Sequence, residues 1–191
     1  MTAAQLVRYL PARLLHRLRR RKVLAQLQAR ALPRSILLVC HGNLCRSPYA
    51  AARLGKLLPP PLAAKVRVDS AGFLGPDRPP PLAAVAVAGA RGVDLSRHRS
   101  RMLGSREVAA ADLIIVMDPT QQDAVGGRFG RRANVIVLGD LDPEPITRRA
   151  IRDPVEQPAS VFDESYARID RCLRMLVSIM SSGMKEAVAR R

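Results

Sequence analysis

The sequence predicts an α/β fold: a doubly wound, four-stranded parallel sheet with helices on both faces, plus a basic helical extension at the N-terminus. Three observations predict it. Four short apolar runs alternate with stretches of helical periodicity, the pattern of βαβ units. The runs do not strictly alternate apolar with polar residues, so each strand should be buried on both faces. The charge is also lopsided: net +16 over 191 residues, with nine Lys/Arg and no acid among residues 1–34. The boundaries follow as a basic extension over 1–34, a domain over 35–185 and a tail over 186–191.

Taking the elements in order, Leu14, Leu15 and Leu18, then Val23, Leu24 and Leu27, form an apolar stripe at helical spacing, with Arg13, Arg17, Arg19, Arg20, Arg21 and Lys22 as a cationic cluster. Pro11 marks a break or a helix start. Residues 8–30 would suit an anionic membrane surface or an acidic protein; the plainer alternative is a solvated basic extension packed loosely on the domain. The unbroken apolar core of a secretory signal is missing, as are the serines of a transit peptide. No run of 18 apolar residues is present, so no spanning helix is expected.

Residues 36–39 (ILLV) read as the first strand. Residues 47–58 read as a helix with Ser47 as N-cap and Pro48 in the first position, stopped by the prolines at 59–61. KVRVDS at 65–70 is a second strand, and residues 81–92 a helix with Gly92 past its end. DLIIVMD at 112–118 and NVIVLG at 134–139 are the third and fourth strands. A long amphipathic helix runs from Ser160 to about Met180.

Ligands in such folds sit at the carboxyl ends of the strands, and Cys40 ends the first one. The loop from Cys40 to Arg46 leads into a helix, so its backbone N–H groups and the helix dipole would converge as an oxyanion cradle. Thiols held at such termini react as thiolates near neutral pH, which makes Cys40 a candidate nucleophile. Arg46 offers a planar fork that matches two phosphate oxygens. Gly42 is expected to supply backbone freedom, and Asn43 to tolerate a left-handed turn and brace the loop. Two plainer readings compete: a small core Cys, and a Cys40/Cys45 half-site for zinc. Zinc needs two more ligands, and Cys172 and three histidines show no matching spacing. Three sparse cysteines predict a reducing compartment, hence a cytoplasmic protein, peripheral at a membrane if the extension docks there.

These residues carry a resemblance. VCHGNLCRSP (39–48) is similar to the signature of the low-molecular-weight protein tyrosine phosphatases, and VDSAG (68–72), DLSRHRSRML (94–103), DLIIVMD (112–118) and Asp153-Pro154 recur in family order. The resemblance implies a phosphatase of phosphotyrosine proteins or small phosphomonoesters, needing no metal or organic cofactor. It implies that Cys40 forms a phosphocysteine, that Arg46 and the loop amides hold the phosphoryl oxygens, and that Asp153 serves as acid and then base. Ser47 would hydrogen-bond Cys40, while Asn43, Ser70 and His98 hold the loop in shape. Cys45 would trap oxidised Cys40 as a disulfide. Three Asp-Pro pairs compete for the acid's role, at Asp118, Asp142 and Asp153. The family's acid precedes an aromatic by nine residues and a Tyr by thirteen, where Phe162 and Tyr166 stand after Asp153.

The sequence departs from the family around the cradle. Val155 stands where a Tyr usually grips the phosphotyrosine ring, Pro76 where an aromatic often forms the other wall, and His41 where a small residue is usual. Leu44 differs from the Thr typical of the phosphoarginine-specific branch. Two rivals follow: an arsenate reductase on the same fold, which would require Cys172, and a non-catalytic phosphate-binding or partner-docking module. Specific nucleic-acid binding is not expected, because no aromatics interleave with the basic residues.

Overall fold

The computed structural model describes residues 3–130 and 134–189, with side chains over 12–130 and 134–184. Four parallel strands form its centre: β1 (Ser35–Cys40), β2 (Arg67–Gly72), β3 (Leu113–Val116) and β4 (Val135–Val137), in the order β2-β1-β3-β4. Order reverses between β1 and β3, so the crevice beyond their carboxyl ends is the topological switch point where such sheets bind ligands. Register places Cys40 opposite Gly72 and Val39 opposite Val116.

Side-chain alternation divides the core. Ile36, Leu38, Leu113, Ile115, Ile136 and Leu138 point into one apolar cluster, while Leu37, Val39, Ile114, Val116, Val135 and Val137 point into the other. Helices α2 (Arg46–Leu57), α4 (Leu82–Ala90) and α7 (Ala159–Ala189) close the first cluster. Helices α5 (Ser105–Ala110) and α6 (Pro119–Phe129) close the second through Val108 and Val125. Both faces are therefore covered, as the unbroken apolar runs require.

Several boundaries differ from expectation for local reasons. Helix α2 starts at Arg46, and its N-cap is Cys45 with no side-chain cap bond. Ser47 lies inside the helix because its hydroxyl is engaged elsewhere, and Pro48 is therefore not its first residue. The prolines at 59–61 end α2 but also start the short helix α3 (Pro60–Ala63), proline being well suited to a first turn. The amides of Lys65 and Val66 donate to Leu62 O, which delays β2 to Arg67. Gly92 adopts φ 74° just past α4. The final helix extends to Ala189, through the boundary expected at 185.

The basic extension is helix α1 (Ala3–Gln28), continuous through Pro11. The helix packs on the 3-10 turn Leu138–Leu141 and on α7. Its apolar residues do not form one stripe: Val23 is buried and Leu24 and Leu27 pack on the core, whereas Leu14, Leu15 and Leu18 are exposed. Beneath α1, Asp142 is fully buried; its carboxylate is met by Arg168 at 3.0 Å and Arg171 at 3.2 Å. Two guanidinium partners offset the cost of burying that carboxylate.

Candidate active site

The loop from His41 to Cys45 leaves the carboxyl end of β1 and enters α2. The Cys40 thiol lies at its base, 2% exposed and unpaired with another cysteine. Ser47 Oγ donates to Cys40 Sγ at 3.0 Å. Asn43 sits at φ 51°, the left-handed conformation an asparagine tolerates. Its Nδ2 donates to Ser47 Oγ and to Ser70 Oγ, each at 2.9 Å, and its Oδ1 accepts from Arg101 N at 2.8 Å. His98 Nε2 lies 2.7 Å from Asn43 O. Every polar atom of the Asn43 amide is thus engaged. Because Ser47 Oγ accepts from Asn43, its own proton is free to point at the sulfur. Among the described residues, none accepts a hydrogen bond from the backbone amides of residues 41–45.

Gly42 does not supply the expected backbone freedom: its φ is not positive, and a Cβ there would meet only the Leu44 side chain at 3.5 Å. The glycine that the loop does require is Gly72, where a Cβ would lie 2.6 Å from Asn43 N and 2.9 Å from His41 O. His41 itself is exposed, and its carbonyl accepts from Phe73 N at 2.8 Å. Leu44 and Cys45 belong to the main core. Burial pushes the Cys45 thiol up to about 12, with Cys40 and Asp153 adding to the rise and Arg46 opposing it. Burial likewise raises the Cys172 thiol, which is fully enclosed in α7.

Arg46 is 3% exposed and links three segments. Its Nη1 donates to Ile151 O at 3.1 Å and lies 3.9 Å from Asp118 Oδ2, while Nη2 meets Asp153 Oδ2. Asp118 caps α6 by accepting from Gln121 N at 3.0 Å. Of the three Asp-Pro aspartates, Asp153 and Asp118 therefore face the cradle, whereas Asp142 is consumed by Arg168 and Arg171. The Asp118 contact, the Ile151 carbonyl and the Gly72 approach were not foreseen from the sequence; pairing VMD at a strand end with the Cys-x5-Arg loop would have signalled the first. Behind the loop, the rings of Tyr49 and Tyr166 stack at 3.8 Å, and Tyr49 Oη donates to buried Asp170 at 2.9 Å. The Tyr166 hydroxyl reaches Cys45 O at 3.5 Å, tying α7 to the cradle.

Val155 is 38% exposed and Pro76 is exposed. Phe73 is turned into the second core cluster, with the Arg128 guanidinium 5.1 Å from its ring centroid. A loop of free amides ending in a helix N-terminus, a thiol at its base and a buried guanidinium beside it can hold a tetrahedral oxyanion against a nucleophile.

Residues 35–189 match the family described as low molecular weight phosphotyrosine protein phosphatase. The chain belongs to that family. Its members are phosphoric monoester hydrolases, and so is this one. A probable low molecular weight protein-tyrosine-phosphatase EpsP of Ralstonia nicotianae is 36% identical over 140 residues, covering 72% of this chain and 90% of the relative. The human low molecular weight phosphotyrosine protein phosphatase is 30% identical over 148 residues, 74% of this chain and 92% of that one. Among solved structures of this phosphatase fold, the YwlE arginine phosphatase from Geobacillus stearothermophilus superposes with a TM-score of 0.70 at 28% identity, covering 81% of this chain and 97% of its own. Vibrio vulnificus Wzb in complex with benzylphosphonate gives 0.67 at 30% identity, covering 76% and 98%. Among the described residues, no helix is long and apolar enough to cross a membrane, and no cluster of three potential metal ligands is present.

Proposed function

We propose that the chain hydrolyses phosphotyrosine proteins or other phosphomonoesters through a phosphocysteine on Cys40. The observation that carries this is the Asn43–Ser47–Cys40 relay at the mouth of α2, with Arg46 alongside. In the first step Cys40 Sγ attacks phosphorus, the ester P–O bond breaks, and Asp153 gives its proton to the departing oxygen. In the second, water attacks phosphorus, Asp153 takes a proton from it, and the P–S bond breaks to return the thiolate. Arg46 and the loop amides hold the equatorial oxygens through both steps. Ser47 stabilises the departing thiolate, Asn43, Ser70 and His98 keep the loop in shape, and Cys45 is the thiol available to trap an oxidised Cys40.

The proposed functional unit is residues 35–185, with 1–34 as an appended docking element for an anionic surface and 186–191 as a tail. The thinned walls at Val155 and Pro76 favour a tolerant phosphomonoesterase over one that grips a flat ring tightly. An arsenate reductase would need Cys172 to reach Cys40, and its burial within α7 speaks against that. The test is hydrolysis of para-nitrophenyl phosphate across pH 5–8 by wild type, Cys40→Ser and Asp153→Asn. Turnover abolished in the first and lowered about 10²–10⁴-fold in the second is expected. No turnover by the reduced, folded wild type refutes the proposal.

A further inference from the structure

Helix α1 has two faces with different chemistry. The inner face docks it on the domain: His16 is 3% exposed with Nε2 3.0 Å from Asp142 O, Val23 is 7% exposed, and Arg20 Nη2 donates to Met175 Sδ at 3.6 Å. At about 100° per residue these three positions span roughly 60° of the helix circumference. Leu14 and Leu18 project about 180° from that face. They are 51% and 62% exposed, and neighbouring Leu15 is 47% exposed. Exposed Arg17 and Arg21 flank Leu14 and Leu18 on one side and exposed Lys22 on the other, between Leu18 and Leu15. No acidic residue occurs among residues 1–34. Docking to the domain therefore needs neither the outer leucines nor these cations.

We propose that α1 lies flat on an anionic bilayer, with Leu14, Leu15 and Leu18 entering the acyl boundary and Arg17, Arg21 and Lys22 among the head groups, while the inner face stays docked on the phosphatase domain. An apolar centre flanked by cations is the arrangement of interfacial helices, whose aliphatic stems lie in the boundary while their charges reach the head groups. The face is convex and already fixed to a rigid domain, which suits a fluid plane better than the groove of an acidic protein. The proposal stands apart from the phosphatase reading, since binding is measured without turnover.

The test is co-sedimentation of the full chain with phosphatidylglycerol vesicles and with phosphatidylcholine vesicles. Wild type is expected to bind the first and not the second. Leu14→Ser/Leu18→Ser should weaken binding about tenfold or more with an unchanged melting temperature, since both side chains are exposed. Arg17→Gln/Arg21→Gln should weaken it about fivefold for each cation removed. Because the chain contains no Trp, Leu18→Trp gives a clean reporter, whose emission should shift to the blue with the anionic vesicles alone. Val23→Ala, on the inner face, should lower the melting temperature and leave vesicle binding in place. Absence of binding to phosphatidylglycerol overturns the proposal. So does full binding by the leucine variant, or an unshifted Trp, either of which leaves charge adhesion only. Preferential binding to polyglutamate over the vesicles overturns it in favour of an acidic protein.

Discussion

Replacing Gly72 by alanine tests whether the shape of the phosphate loop, beyond its side chains, sets the rate. A Cβ at Gly72 would lie 2.6 Å from Asn43 N, 2.9 Å from Gly42 C and 2.9 Å from His41 O. Carbon contacts are comfortable at roughly 3.5–4.0 Å, so something must move by about 0.6–1 Å. All three atoms are backbone, so no flexible side chain can swing aside. Strand β2 is held on both sides of the residue: Gly72 N donates to Arg101 O at 2.9 Å, and Gly72 O accepts from Leu103 N at 2.7 Å. The loop is the part that yields, and it carries the amides and Asn43 with it. Misplacing oriented groups by about 1 Å costs on the order of 10²-fold in rate. Overpacking costs about 1–3 kcal/mol of stability. The assay is kcat for para-nitrophenyl phosphate beside a thermal melt. Gly72→Ala should lose about 10²-fold in kcat while remaining folded at 25 °C. A lowered melting temperature with unchanged kcat would refute the link between loop shape and catalysis.

Three further outcomes are expected. Val155→Tyr should restore one wall of the ring slot and lower KM for phosphotyrosine about 2–10-fold, from roughly 0.5–1.5 kcal/mol of added aromatic contact, with kcat little changed; equal KM values would show that residue 155 does not line the bound ring. Alkylation of the native protein at pH 7 should spare Cys45 and Cys172, whose thiols burial keeps protonated; peptide mapping that finds label on either before unfolding contradicts this. Burial holds the His98 imidazole below its ordinary value, Arg101 and Arg99 push the same way, and the bond to Asn43 opposes them. As pH falls below about 6.5 the unfolded chain takes up this proton first, so stability that is whole above that pH is lost down to the folded value. His98→Gln keeps a donor for Asn43 and should lose less melting temperature than wild type between about pH 7 and 5; parallel losses would assign the titration elsewhere.

The strands were legible because ILLV and LIIV are too apolar to be exposed, and Cys40, directly after ILLV, could be placed at a carboxyl end. The capping residue of α2 was not. Ser47 has the composition of an N-cap, but Asn43 and Cys40 claim its hydroxyl, and that competition is tertiary. Gly42 drew attention by its place in the motif, while the close approach falls on Gly72, a neighbour only through the parallel register with Cys40. The leucines of α1 read as one stripe because a sequence carries no record of which arc faces the domain; Asp142 and Met175 fix that arc from 126 and 155 residues away. Helix α5 escaped because SREVAA is less than two turns long; the start of α6 was legible, since Asp118 at a strand end reads as a helix-starting residue, but its length was not, because PTQQDAVGGRF contains two adjacent glycines. Asp153 was singled out by its offsets to Phe162 and Tyr166, and the contact between Arg46 and Asp153 supplies a spatial reason for the choice.

Trapping the phosphoenzyme tests this mechanism most directly, by a rapid denaturing quench at alkaline pH during turnover of a radiolabelled phosphate ester, followed by peptide mapping. Label on the peptide bearing Cys40 is expected in wild type, and none in Cys40→Ser. Undiminished turnover by Cys40→Ser, or label on a residue other than Cys40, would contradict it.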